Sequence, residues 1–325
     1  MDIMERKFGI AVCSIEGTVT YLEIDVETGI FEKVFNFKDA NERIRCLGGK
    51  KGLLVTGGDD EVIRVYDPDN KKRVMEITET ESSAIKILFS SKYFLSLHEN
   101  GSIYFIHNKE GSIYHKANVF KSGCLDGQLH HSGKILLLLS KTGRVAIWDT
   151  TTITCLYHFK IKGEPLSVKF FTDEILLIAL RKRILLYSLK EKAIMNELSV
   201  DEEDCINEFD IWNSEDGGRV VIGTEKGRIR VFSAFEDNLD REMTFLEFKA
   251  FESRVKKISI KENFLIAIST EGFIAVWNIM DFKEALYSRR TVILEKVLPL
   301  SEMKIDTRLV LLSVISHTHT NKLKD

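Results

Sequence analysis

The sequence has 325 residues, of which 44% are hydrophobic and 29% are charged, as in globular chains that bury a core. Its formal charge of -3 excludes a uniformly basic nucleic-acid-binding protein but allows a local basic patch. The longest apolar runs, at 135–139 and 175–180, are far shorter than the roughly 20 residues of a membrane helix. Residues 8–12 are too few for the core of a signal peptide, so we expect a location in the cytoplasm or nucleus.

A short pattern recurs along the chain: a small or charged turn, alternating apolar residues, and then an aromatic or bulky apolar residue. Its sixth positions are residues 22, 66, 106, 148, 187, 232 and 277, so successive copies are separated by 39 to 45 residues. This period, with a Trp-Asp pair at Trp148-Asp149, is typical of WD repeats. The seven copies occupy residues 17–22, 61–66, 101–106, 143–148, 182–187, 227–232 and 272–277.

Each period has room for four short strands. In the second period, residues 44–47, 53–56, 62–66 and 73–77 are rich in β-branched and apolar residues, and turn-forming residues separate them. Four strands form one blade of a β-propeller, and seven copies indicate seven blades. No segment of helical periodicity is convincing. The sequence therefore predicts an all-β, seven-bladed WD-repeat β-propeller, with residues 1–325 in a single domain.

The two ends of the sequence predict how the ring closes. The first period has only three strands, at residues 9–14, 19–24 and 31–37, and lacks its innermost strand. After the seventh copy, residues 291–297 are suited to be the outer strand of that blade, which leaves residues 307–314 without a place. We expect this C-terminal strand to complete the first blade, because closure removes exposed sheet edges.

Catalytic and metal-binding signals are weak. The sequence has no nucleophile elbow, no zinc-protease motif and no phosphate-binding loop. We interpret His130-His131 as a turn beside a blade strand and the His317-Thr318-His319 tail as no metal site. The run Asp201–Asp204 is interpreted as a solvated loop, with docking of a basic partner as the alternative. Five scattered cysteines without a C-x-x-C motif predict buried thiols and no zinc site. We expect no catalytic residue, cofactor, metal or small-molecule substrate.

Two sets of residues remain. Loops that share one face of the propeller carry cations that could bind RNA phosphate or an acidic protein: Arg43, Arg45, Lys141, Arg181, Lys182 and Arg254. The alternative for each is ordinary surface solvation. Turn acids, strand-end aromatics and the residue before the closing strand are expected to be structural: Asp59, Asp60, Tyr66, Asp67, Trp148, Asp149, Trp277 and Arg308.

Several segments resemble one WD-repeat family, which includes the p21-activated-kinase-interacting proteins of animals and the "maintenance of killer" proteins of fungi. The resemblance covers residues 8 to 315 and is most specific in the second, seventh and C-terminal segments. The matching stretches are Gly57–Asp67, His131–Lys134, Glu252–Lys256, Ser269–Trp277 and Thr307–Leu309.

The resemblance implies a nucleolar scaffold that assists assembly of the large ribosomal subunit (pre-60S) and rRNA processing. Such a protein acts as a monomer within a larger complex and docks on the pre-ribosomal particle through ribosomal or assembly proteins, and the resemblance leaves open whether rRNA is contacted as well. The alternative implied by the animal members is a signalling adaptor that binds and inhibits a p21-activated-type kinase. Family members usually carry a long Lys-rich C-terminal tail, whereas this sequence ends at Lys324-Asp325.

Overall fold

The computed structural model describes residues 7–38, 42–214, 217–233, 245–282 and 292–316. Within these ranges the chain forms β-strands and one short 3-10 helix, Ile279–Phe282, and no helix is long and apolar enough to cross a membrane. The first fifteen strands are β1 (Lys7–Ser14), β2 (Thr18–Asp25), β3 (Ile30–Lys38), β4 (Ile44–Lys50), β5 (Leu53–Gly58), β6 (Ile63–Asp67), β7 (Lys72–Ile77), β8 (Ala84–Phe89), β9 (Tyr93–His98), β10 (Ser102–His107), β11 (Ile113–Asn118), β12 (Cys124–Leu129), β13 (Ile135–Ser140), β14 (Arg144–Asp149) and β15 (Thr154–Lys160).

The second half of the chain continues the same pattern. Its strands are β16 (Pro165–Phe170), β17 (Ile175–Leu180), β18 (Arg183–Ser188), β19 (Ala193–Ser199), β20 (Ile206–Ser214), β21 (Gly217–Thr224), β22 (Arg228–Ser233), β23 (Phe245–Lys249), β24 (Val255–Lys261), β25 (Phe264–Ser269), β26 (Phe273–Asn278), β27 (Val292–Lys296), β28 (Ser301–Lys304) and β29 (Leu309–Ser316).

These strands form seven sheets, which are the seven blades. From the inner to the outer strand, blade 1 is β29-β1-β2-β3, blades 2 to 5 are β4–β7, β8–β11, β12–β15 and β16–β19, blade 6 is β20–β23 with β27, and blade 7 is β24-β25-β26-β28. The innermost strand of each blade contacts that of the next, from β4 round to β24 and back through β29. The predicted all-β, seven-bladed propeller is therefore confirmed.

The C-terminal strand closes the ring as predicted. β29 pairs antiparallel with β1, from Phe8 opposite Ser316 to Ser14 opposite Leu309. It also lies between the inner strands β24 and β4, so it supplies the missing inner strand of blade 1. One blade is thus built from both ends of the described chain, which covers the edges that an open ring would expose.

The prediction for residues 291–297 was wrong. Their strand, β27, is not the outer strand of blade 7: it pairs in parallel with β23 and becomes a fifth strand of blade 6. The outer strand of blade 7 is the four-residue β28, which pairs with β26. Val292 and Leu294 of β27 pack against the apolar cluster shared by blades 6 and 7, and this burial favours the position on blade 6.

The recurrent glycine of the repeat pattern has a steric cause. Gly101 in the turn before β10 has φ of +90°, and a Cβ at this position would lie 1.8 Å from the carbonyl oxygen of Phe120. In the second copy Glu61 takes this place with φ of +61°, a conformation that costs a residue with a side chain more than it costs glycine. The turn of the fifth copy, Arg181-Lys182, is one residue shorter and has no such position.

The aromatic residues at the ends of the repeat strands join neighbouring blades. Tyr66 stacks on Phe37 of blade 1 with ring centroids 5.8 Å apart. The corresponding Trp277 contacts Phe248 of blade 6 at 5.6 Å, edge to face. Both residues are at most 1% exposed, whereas Trp148 is only partly buried. Much of the core therefore lies between blades, and a blade cannot bury its apolar surface alone.

Candidate docking face

The turns between the second and third strands of the blades and the loops that lead into the inner strands lie at the same end of the propeller, which we call the loop face. A repeated backbone hydrogen bond joins these two kinds of loop within a blade. All six predicted partner-binding cations lie on this face or at its inner edge. The bonds run from the N–H groups of Ile15, Asp59, Glu99, Lys141, Arg181 and Glu225 to the carbonyl oxygens of Arg308, Arg43, Ser83, Gly123, Glu164 and Cys205, at 2.8–3.2 Å except Lys141, at 3.3 Å.

Arg45 and Lys141 are neutralised by acids of neighbouring blades. Arg45 pairs with Glu99 and lies 3.2 Å from Asp59, and Lys141 Nζ lies 2.6 Å from the other carboxylate oxygen of Glu99. The hydrogen bond from Lys141 and the charge of Arg45 outweigh burial and lower the pKa of Glu99. These contacts bridge blades 2, 3 and 4. They leave Arg45 and Lys141 less free to bind a partner than the sequence indicates.

Arg181 and Lys182 also have internal partners. Arg181 lies 3.3 Å from Glu164, and Lys182 Nζ donates to the backbone carbonyl oxygens of Glu202 and Asp204 at 2.5 and 2.6 Å. The run that we interpreted as a solvated loop is therefore held in place, and Asp204 is only 1% exposed. The carboxylate of Asp204 accepts the N–H groups of Cys205 and Lys226 at 2.8 and 3.1 Å. Asp204 is therefore not solvated, and the interpretation was wrong for this residue.

Arg43 and Arg308 differ from Arg45, Lys141 and Arg181, which pair with acids. Both are exposed, and neither forms an ion pair within the part of the chain that the structure describes. Arg254 precedes the inner strand of blade 7 and pairs with Glu225 at 3.2 Å. The backbone carbonyl of Arg308 accepts the N–H of Ile15 at 3.0 Å. This hydrogen bond supports the structural role predicted for Arg308.

The inner strands place a set of ion pairs around the central channel that the sequence did not lead us to predict. Lys169 Nζ lies 2.7 Å from Asp210, and Lys257 pairs with Glu208. The charges of Lys257, Lys169 and Lys86 outweigh burial, which by itself would raise the pKa, and lower the pKa of Glu208. The sequence signal for these pairs was the charged residues at alternate positions of inner strands, such as Glu208 and Asp210 of β20.

A third channel pair joins blades 3 and 4. Lys86 Nζ lies 2.9 Å from Asp126, whose other carboxylate oxygen accepts Ser167 Oγ at 2.5 Å and the N–H of Val168 at 3.0 Å. Because Ser167 and Val168 belong to β16, this carboxylate links three consecutive inner strands. The contacts of Asp126 therefore join blades 3, 4 and 5 through their inner strands.

Two of the turn acids cap their strands. Asp149 accepts the N–H groups of Thr151 and Thr152 at 2.7 and 3.2 Å, and Asp67 accepts the N–H of Asn70 at 3.0 Å. These hydrogen bonds lower the pKa of Asp149, mostly through Thr151. Such side-chain-to-backbone bonds stabilise the turn in place of a backbone partner.

Asp60 and Asp59 contact different cations in the turn between β5 and β6. Asp60 lies 2.7 Å from Arg64, which is 9% exposed, and accepts the N–H of Val62 at 3.3 Å. Asp59 instead faces Arg45 of the inner strand. Both carboxylates therefore tie this turn to neighbouring strands.

The donor group that comes nearest to a metal site is His130, His131 and Asp173, whose ligand atoms lie within 4.8 Å of one another. Both ring nitrogens of His130 already have partners, since Nδ1 lies 2.9 Å from Ser132 Oγ and Nε2 lies 2.9 Å from Asp173. This geometry is explained by two hydrogen-bonded turns, consistent with our interpretation of the His pair. The tail histidines His317 and His319 lie outside the described residues.

The five cysteines are all described, and none is in a disulfide. Cys13, Cys46 and Cys124 are buried as expected, and burial raises the pKa of each thiol, that of Cys46 to about 12. Cys155, in contrast, is exposed because it lies on the outer strand β15, and Cys205 is partly exposed. The expectation of burial thus fails for these two.

No family model matches the chain. Shk1 kinase-binding protein 15 of Schizosaccharomyces pombe is 20% identical over 273 residues, which are 81% of this chain and 76% of that protein. Protein MAK11 of Saccharomyces cerevisiae is 21% identical over 86% of this chain and 80% of its own length. The p21-activated protein kinase-interacting protein 1-like of Gallus gallus is 23% identical over 70% of this chain and 60% of its own length.

Among solved structures, a chain in the crystal structure of the mitotic checkpoint complex aligns with a TM-score of 0.68 and 12% identity. The match covers 83% of this chain and 89% of that one, and at this identity it shows the fold alone. Together with the sequence relatives, it confirms the predicted resemblance: the chain is a WD-repeat β-propeller similar over most of its length to the p21-activated-kinase-interacting and MAK11 proteins.

Proposed function

We propose that this protein is a non-catalytic scaffold that docks on precursors of the large ribosomal subunit and acts in the nucleolus. The similarity to MAK11 over 86% of the chain carries the proposal, together with what the family resemblance implies. A rigid ring of seven blades suits this task, because loops fixed by backbone bonds lose little conformational entropy when a partner binds. The whole chain, 1–325, is proposed to act as one unit.

The loop face is the proposed docking surface. Arg43 and Arg181 extend from it, and the side chain of Arg181 is 57% exposed despite its contact with Glu164. Partners of this surface are proposed to be assembly proteins, with rRNA as a further contact.

A second candidate function is a signalling adaptor that binds and restrains a kinase. The names of the relatives from Schizosaccharomyces pombe and Gallus gallus, which refer to kinase binding and kinase interaction, favour it. The two functions predict different companions. A scaffold of ribosome assembly sediments with precursor rRNA, whereas an adaptor forms a stable kinase complex without RNA.

The test is affinity purification of the tagged full chain at low salt, with rRNA probing, mass spectrometry and sedimentation before and after nuclease treatment. We expect large-subunit precursor rRNA and assembly proteins in the eluate, and nucleolar staining of the tagged chain. A protein that sediments only at the monomer position, or that brings down a kinase without precursor rRNA, would reject the proposed function.

Matched variants assign the face. Arg43→Glu with Arg181→Glu changes the loop face, and Lys71→Glu with Lys72→Glu changes the opposite end at an exposed turn of blade 2. We expect the first pair to reduce recovery of the particle and the second pair to leave it unchanged. Equal recovery with both pairs would exclude the loop face as the docking surface.

A further inference from the structure

Among the residues that the structure describes, three cations at the inner edge of the loop face have no carboxylate partner. Arg43, Lys256 and Arg308, which we call the cationic sector, form no ion pair with any residue in the described ranges, 7–316 with their gaps. Other cations of the same face are paired with acids, as with Lys141 and Glu99 or Arg181 and Glu164, and Lys182 donates to backbone carbonyl oxygens. What distinguishes the sector is that its three cations lie near one another, whereas exposed lysines such as Lys121 and Lys162 are spread over the loops before β12 and β16.

The fold places these residues side by side. Arg308 and Arg43 are each the last residue before an inner strand, β29 and β4, and Lys256 is the second residue of the inner strand β24. These three strands are consecutive around the channel, and β29 contacts both β24 and β4. Residues some 50 to 260 positions apart in sequence thus meet at the channel mouth of blades 7, 1 and 2.

The backbone of this sector is held rigidly while the side chains of its arginines stay exposed. The carbonyl of Arg43 accepts the N–H of Asp59 at 3.0 Å, and a Cβ on Gly58 would lie only 2.7 Å from that carbonyl oxygen. The chain before Arg308 is fixed by the N–H of Ile305, which donates to Gly272 at 2.9 Å. The backbone positions of Arg43 and Arg308 are therefore fixed before a ligand binds, and only their side chains need to be ordered.

Electrostatics shows that the sector is positively charged as a unit. Burial lowers the pKa of Lys256, and the charges of Lys257, Arg254, Arg43 and Arg308 lower it further. Two of these neighbours are paired, Lys257 with Glu208 and Arg254 with Glu225. Within the described ranges the charge without an acidic partner is that of the sector itself, and it favours binding of an anion.

We propose that the cationic sector binds an acidic segment of a partner protein across the channel mouth. Arginine presents parallel N–H donors that match a carboxylate, and two arginines on neighbouring inner strands can hold two acidic side chains of one extended segment. RNA is the less suitable ligand, because nucleic-acid affinity comes mainly from neutralising many phosphates, whereas the sector offers three cations on a protein of net charge -3. The inference rests on the proposed docking function and names the chemistry of the partner.

The test measures binding of the purified full chain to a fluorescein-labelled peptide of alternating Glu and Asp, by anisotropy at low salt. The control peptide replaces these residues by Gln and Asn. We expect binding of the acidic peptide only, weakened as salt is raised, and a loss of about tenfold or more in Arg43→Ala with Arg308→Ala. Arg43→Lys with Arg308→Lys should retain most of the affinity because the charges remain.

The paired cations of the same face provide the matched control. Arg45→Ala with Lys141→Ala removes the same number of charges and should change the affinity by no more than about twofold, because Glu99 and Asp59 already neutralise both residues. Thermal unfolding of each variant checks that the fold is intact. An equal loss in the two pairs, or equal binding of acidic and neutral peptides, would overturn the assignment.

Binding of an oligouridylate that depends on Arg43 and Arg308, without binding of the acidic peptide, would also overturn it and would identify RNA as the ligand. Sedimentation with the particle in cells measures the proposed function separately. A chain that binds the acidic peptide but does not sediment with the particle would keep the cationic sector and reject the ribosomal role. A chain that sediments with the particle but does not bind the acidic peptide would keep the ribosomal role and reject the cationic sector.

Discussion

Replacing Asp126 by alanine should destabilise the propeller strongly, because this one carboxylate links three inner strands. The carboxylate of Asp126 is 8% exposed and accepts hydrogen bonds from Ser167 and Val168 of the next blade, and Lys86 of the preceding blade lies 2.9 Å away. Burial by itself would raise the pKa of Asp126, but Lys86 and the two donors outweigh it and lower the pKa. The charged form is therefore the one that the fold stabilises.

The magnitude follows from the groups left without a partner. The N–H of Val168, whose residue is 0% exposed, would lose its acceptor at about 1–3 kcal/mol, and the hydroxyl of Ser167 would add about 1 kcal/mol. The side chain of Lys86 is 39% exposed, so water can solvate its ammonium group once Asp126 is removed. The loss of this ion pair therefore adds about 1 kcal/mol or less. We expect Asp126→Ala to lower the free energy of unfolding by about 3–5 kcal/mol.

Urea unfolding followed by circular dichroism, with refolding checked by dilution, measures this quantity. Lys86→Met leaves both hydrogen bonds to Asp126 but removes the counter-charge of a carboxylate that is only 8% exposed, so it should cost about 1–3 kcal/mol, less than Asp126→Ala. Asp126→Asn keeps one acceptor oxygen for Val168 and should lie between the two. If Asp126→Ala costs less than about 1 kcal/mol, or no more than Lys86→Met, the role assigned to the hydrogen bonds is wrong.

Two further predictions concern acid stability and closure. The pKa values of Asp126 and Glu208 are lower in the folded than in the unfolded chain, so their contribution is complete above the unfolded value of about pH 4 and is lost as pH falls through the folded values. The urea midpoint should fall steeply on acidification below about pH 5, and less steeply in Asp126→Asn; parallel curves would contradict this. Deletion of residues 306–325 removes β29 and should unfold or aggregate the chain, and a truncated protein as heat-stable as the full one would disprove closure by that strand.

The sequence by itself predicted the fold because the information is local and repeated. A strand alternates with a period of two, a turn needs a glycine such as Gly101 or a residue forced into the same conformation, and seven copies fix the number of blades. The three strands of the first period and the strand left over at 307–314 were enough to predict closure by β29. Residues 291–297 were misplaced because their apolar pattern defines a strand but not its neighbour.

Only the tertiary structure decided which charges are available to a partner. The repeat pattern places a cation on a face, but it does not specify which acid of another blade reaches it, as Glu99 reaches Lys141 from 42 residues away. The channel pairs, such as Lys169 with Asp210, arise for the same reason between inner strands of different blades. Charge compensation depends on distances across blades, and a period along the chain does not contain those distances. For this reason the sequence predicted the face, and the structure separated the paired cations from Arg43 and Arg308.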